Sequence, residues 1–131
     1  MKLARVLLGL SGSGLALYGL WCLADPHAGV AGTTGLGLVS APATVEAMAM
    51  YGGLSTGLGV FLLLGALRPA WTVPALGALA LTFGALGLAR LAGMGLHGPA
   101  GVQIFAAAVE LVVAALALVS LRRGAALPAG T

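Results

Sequence analysis

The chain reads as four long apolar runs, residues 4–24, 46–67, 72–95 and 101–121, separated by turn-forming breaks. Each run is near the roughly 20 residues that an α-helix needs to cross about 30 Å of hydrocarbon. Asp25-Pro26-His27 closes the first, Arg68-Pro69 closes the second, and His97-Gly98-Pro99 parts the third from the fourth. Proline withdraws a backbone donor and glycine tolerates positive φ, so these breaks are natural turns. The last two connections are only a few residues long, which makes the helices they join antiparallel neighbours. The pattern predicts an all-α fold: an integral membrane four-helix bundle, antiparallel, in a single transmembrane domain over residues 1–131. Residues 25–45, rich in Gly, Ala and Thr, are expected as an outer loop without a regular span, and residues 122–131 as a cytoplasmic tail.

Composition closes off the soluble alternative. A chain of 131 residues that is 60% hydrophobic and 7% charged cannot coat a water-soluble globule with polar side chains. The net charge of +3 comes from six basic and three acidic residues, too sparse for a nucleic-acid footprint, so nucleic acid is not an expected partner. In a four-span topology Lys2, Arg5, Arg68, Arg122 and Arg123 share one side, opposite Asp25, His27 and His97. Basic residues in short loops stay on the cytoplasmic side, so both termini are expected there, in a multi-pass protein of the cell's inner (plasma) membrane. A rival reading makes Met1–Ala24 a cleaved signal peptide. Its apolar run is long for that role, and no small-x-small cleavage site precedes Asp25. Trp21 likewise spoils a lipoprotein box at Cys22. Cys22, the only cysteine, leaves no internal disulfide or CxxC pair and reads as a packing residue.

The glycine-rich stretch MYGGLSTGLGV, residues 50–60, raises the question of a phosphate loop. It lacks the Lys-Ser/Thr that follows the last glycine of a Walker-type loop, and no βαβ unit surrounds it. On a membrane helix, Gly53 and Gly57 are four apart, while Gly52, Thr56 and Gly59 line an adjacent stripe. Small residues at such spacings let helix backbones approach closely, so these glycines are assigned to helix packing.

Charges inside the runs carry more information, because one near mid-bilayer costs about 2.5–3.5 kcal/mol on insertion scales. Arg90 lies roughly 8 Å below the outer end of the third run and Glu110 roughly 14 Å into the fourth, at about 1.5 Å per residue. The two are expected within side-chain reach. Glu46 starts the second run, with Tyr51 below it. Polar and small residues recur at helical spacing on three runs: Gln103, Ala106, Glu110, Ala114 and Ala117; Phe83, Gly87, Arg90 and His97; and Ser11, Gly14, Tyr18 and Asp25, with Cys22 close by. Together they suggest a polar pocket in the outer half, opening outward or capped by residues 25–45. Arg90 and Glu110 read either as a buried ion pair that fixes helix packing or as ligand-binding groups. Glu46, after Thr44, reads as a helix-start residue or a ligand group, and His97 as a turn residue or a ligand or proton group. Trp21 and Trp71 read as interface anchors. Two histidines and three acids at these separations match no metal motif, and no nucleophile–base pair stands out.

The run Glu46-Ala-Met-Ala-Met-Tyr51-Gly52-Gly53, followed by Gly57 and Gly59, resembles the E-x-R-A-x-Y-G-G-x-x-x-G-x-G signature of a domain-of-unknown-function family of small bacterial four-span membrane proteins. The stretch from Gly87-Leu88 through Arg90 to Gly93, then His97-Gly98 and Glu110, resembles that family's second motif. The likeness covers nearly the whole chain. It implies a four-helix fold distantly similar to DoxX-like proteins and supplies no activity. Met48 stands where the family often has Arg, so an ion pair from that position would be missing.

Two functions remain open. One is a binding or permeation module for a small polar or amphipathic ligand, with Arg90, Glu110, Glu46, Tyr51 and His97 around the pocket. The other is an accessory or assembly subunit whose charges lock the helices while glycine stripes dock a membrane-protein partner or another copy. An integral membrane enzyme ranks third, since no catalytic constellation is visible, so the chain is not expected to be an enzyme or to need a cofactor or metal. Membrane lipid is its expected surroundings.

Overall fold

The structure, a computed structural model, describes residues 2–99 and 101–125. Its long helices are α1 (Lys2–Ala24), α2 (Ala41–Leu67), α3 (Pro69–His97) and α4 (Gly101–Ala125), with no strand among the described residues. All four are long and apolar enough to cross a membrane, which makes this an all-α, multi-pass membrane protein. Leu10, Leu54, Leu81 and Phe105 are each more than half exposed, as suits a surface wetted by lipid. Residues 122–125 continue α4, while the rest of the expected cytoplasmic tail, 126–131, lies outside the described residues.

The chain divides into two compact units, Gly9–Leu63 and Met1–Leu8 with Leu64–Thr131. In the first, α1 and α2 run antiparallel: Gly12 meets Gly59 and Leu63, Gly19 meets Thr56 and Gly52, and Leu23 reaches Gly52. The approach is backbone on backbone. A Cβ on Gly59 would sit 2.5 Å from the Ala16 nitrogen and 2.7 Å from the Gly12 carbonyl oxygen. Gly52, Thr56 and Gly59 therefore form the packed stripe. Gly53 and Gly57 are exposed, and a Cβ on Gly57 would meet nothing within 4 Å, so the packing role expected of this pair is not found among the described residues.

The connection between these helices has more structure than expected. Asp25 Oδ1 accepts from the Ala28 nitrogen at 3.0 Å, which starts a π-helical turn, His27–Ala31, that runs into a single α turn, Gly32–Thr34. Gly35, at φ 77°, ends it in the left-handed region that favours glycine. Ser40 then caps α2, its Oγ accepting from the Ala43 nitrogen at 3.3 Å with proline in the first turn, so α2 begins at Ala41 rather than 46. The connector folds back on its own helices: Cys22, Val30 and Ala47 form a buried cluster flanked by Tyr18, Leu38 and Tyr51. The Thr33 hydroxyl lies 3.1 Å from the Tyr18 hydroxyl and donates to the Gly29 carbonyl at 2.5 Å. Met48–Gly53 is a π-helical stretch within α2.

In the second unit Arg68 is extended, as a residue before proline prefers, and Pro69 opens α3 at a position where its missing N–H costs nothing. The fully buried Thr72 closes this turn by donating to the Gly65 carbonyl at 2.8 Å. Thr72→Val keeps the shape and orphans that acceptor, so it should cost about 1 kcal/mol. Thermal unfolding in detergent would measure this, and an unchanged midpoint would deny the bond a role. Leu76 and Leu79 of α3 and Ala107, Ala114 and Ala117 of α4 are buried. As α3 advances from Gly84 to Gly87 to Arg90, the partner on α4 recedes from Ala114 to Leu111 to Glu110, so these helices are antiparallel.

Candidate functional site

Small residues bring α3 and α4 together next to their charged pair. A Cβ on Gly87 would lie 2.7 Å from Leu111 Cγ, so glycine one turn before Arg90 lets the helices close where their side chains must meet. Arg90 Nε then donates to both Oε1 and Oε2 of Glu110, each at 2.9 Å. Arg90 Nη1 donates to Gln103 Oε1, two turns before Glu110 on the same face of α4. The Glu110 side chain is 11% exposed and that of Arg90 33%, so the carboxylate is the inner member and the guanidinium reaches outward. An isolated carboxylate in such surroundings would be costly. The ion pair and the hydrogen bond to the Gln103 amide oxygen hold a guanidinium in a defined place at the end of the α3–α4 hairpin.

Around the outward end of Arg90 lies an open cleft of about 230 Å³, lined by Arg90, Gly93, Met94, His97, Gly98 and Gln103. Gly98, at φ 94°, ends α3 beside it, its N–H donating to the Met94 carbonyl at 3.0 Å. The exposed His97 occupies the last turn of α3.

Of the residues expected to share a pocket, Arg90 and His97 line this cleft, and Glu110 stands behind it, paired with Arg90. Glu46 and Tyr51 take no part in this cleft and belong to the other compact unit. Glu46 is exposed and lies beyond the first turn of α2, where Ser40 does the capping that a helix-start role for Glu46 would require. Tyr51 is half-buried against the Cys22–Val30–Ala47 cluster. The stripe expected on α1 is also rotated. Gly14 is exposed to open space, while Leu8, Gly12, Gly19 and Cys22 are buried. Trp21 and Trp71 are both exposed, and Trp21 meets the Tyr18 ring edge-on at 6.5 Å between centroids. Sequence reasoning put Gln103 on the right stripe but did not assign it to the site; its spacing of two turns from Glu110 was the available signal. Met94 carried no such signal. Among the described residues, no group of three or more His, Cys, Asp or Glu side chains could hold a metal ion.

The family described as a domain of unknown function (DUF4345) matches residues 3–121, which include every residue of the cleft. The protein belongs to this family. No curated protein and no solved structure matches the chain. Membership in DUF4345 brings no activity with it.

Proposed function

We propose that this protein is a small integral membrane protein of the bacterial inner membrane, with both termini cytoplasmic, whose Arg90 cleft binds or passes a small polar or amphipathic ligand. The observation that carries the reading is a guanidinium inside a membrane helix, held at its Nε by Glu110 and at its Nη1 by Gln103, and still one-third exposed at a cleft. A purely structural pair has no need of exposed donors, whereas a binding residue has to keep donors available. The reading assigns no catalytic step. Native mass spectrometry of the protein, extracted from its own membrane in mild detergent, should show a retained small molecule that Arg90→Ala releases. Wild-type protein that carries nothing would count against the proposal.

A second reading, an accessory subunit of a larger membrane complex or homo-oligomer, draws on Gly53 and Gly57, exposed on α2 and unused in packing among the described residues. The same spectra would then show a retained protein mass that Gly57→Leu removes. Only monomer at native expression would oppose it.

A further inference from the structure

The hydrogen-bonding capacity left over around Arg90 points to the class of ligand. A guanidinium carries five N–H bonds and no acceptor. Glu110 takes the Nε hydrogen with both oxygens, and Gln103 Oε1 takes one Nη1 hydrogen. The second Nη1 hydrogen and both Nη2 hydrogens have no partner among the described residues. Because Gln103 accepts through Oε1, its amide nitrogen, also without a partner among the described residues, has two donors to offer. His97 adds a ring that can donate from the same wall. Glu110 turns both oxygens to Arg90 and its side chain is 11% exposed, so it presents little acceptor surface to the cleft. A cleft with free donors on three side chains suits a group rich in acceptors and poor in hydrogens.

We infer that the cleft takes an oxyanion of the phosphate type, an inference that rests on the ligand-binding reading above. Its oxygens accept hydrogen bonds and carry no fixed donor of their own, which suits a wall offering donors from Arg90, Gln103 and His97, and about 230 Å³ is room enough for such a group. The group is either a phospholipid-like headgroup or free phosphate; Met94 in the wall and the exposed Leu91 and Leu96 on the same helix suit an attached apolar tail. Arg90 and Glu110 together carry no net charge, so directed N–H bonds hold the ligand rather than a general positive field. A cation without the planar array of donors would not replace Arg90.

The test is thermal unfolding of the full chain in a neutral detergent, titrated separately with dihexanoyl phosphatidic acid, inorganic phosphate and dihexanoylglycerol. Phosphatidic acid should raise the midpoint in a saturable way and dihexanoylglycerol should not. Gln103→Leu, which leaves the Arg90–Glu110 pair whole, and Arg90→Lys, which keeps the charge, should each raise the half-saturating concentration by about tenfold or more. A response to phosphatidic acid alone identifies a lipid headgroup. A matching response to inorganic phosphate identifies the free ion, and both results support the oxyanion. No saturable shift, a shift shared with dihexanoylglycerol, or one that Gln103→Leu leaves untouched overturns it. If native mass spectrometry retains an Arg90-dependent molecule without an oxyanion, this inference falls and the ligand-binding reading stands. If nothing is retained and nothing shifts the midpoint, both fall.

Discussion

Glu110→Ala should unfold in detergent at a much lower temperature than Glu46→Ala, although both remove one carboxylate from an apolar helix. Glu110 is the inner half of an ion pair, and its loss leaves the Arg90 guanidinium in the α3–α4 contact with only Gln103 as a partner among the described residues. Breaking a fully buried pair from one side costs about 3–5 kcal/mol, and because Arg90 keeps one-third of its side chain exposed we expect less than that, about 2–3 kcal/mol. Glu46 is exposed and caps nothing, so its loss should stay within about 0.5 kcal/mol. Replacing both partners at once, Arg90→Leu with Glu110→Leu, should recover much of the loss, since no unpaired charge is left behind. Equal midpoints for the two single variants would contradict the assignment.

Gly59→Val should disrupt the α1–α2 pair, whereas Gly57→Val, two residues away, should be nearly silent. The Gly59 Cβ position is 2.5 Å from the Ala16 nitrogen and 2.7 Å from the Gly12 carbonyl oxygen, and neither backbone atom can move aside without its helix. Overpacking of this kind costs about 1–3 kcal/mol, and more where only backbone can yield. At Gly57 the same group enters open space. Limited proteolysis and the unfolding midpoint would both report the difference. If the two variants lose stability equally, the close approach at Gly59 is not what holds α1 to α2.

These contrasts mark where the sequence was legible. Arg90 and Glu110 could be paired in advance because a membrane charge needs a partner, and their depths along the helices are set by rise per residue. Glu46 could not be placed the same way. Its position at the start of an apolar run suggested a helix terminus, but Ser40 and Pro42 had already begun the helix, and capping depends on local backbone geometry rather than hydropathy. The two glycine stripes on α2 were equally plausible from spacing alone; the partner backbone on α1 chose Gly52, Thr56 and Gly59. On α1, polarity suggests Ser11, Gly14, Tyr18 and Asp25 as the inner face, with Cys22 close by; Cys22 is buried, but so are Leu8, Gly12 and Gly19, while Gly14 and Asp25 are exposed. In lipid, close packing follows residue size more than polarity, so a polar stripe is a weak guide to which face turns inward.

Hydropathy and length alone established four membrane-length helices, an all-α class and the turns between them, because hydrocarbon admits only helices whose backbone bonds close internally, or closed barrels. The connector over residues 25–40, the side of each helix that packs, and the gathering of Arg90, Gln103 and His97 around one cleft came from the folded chain. Each depends on contacts between residues distant in sequence, and a one-dimensional pattern constrains such contacts only to within a rotation of each helix about its own axis.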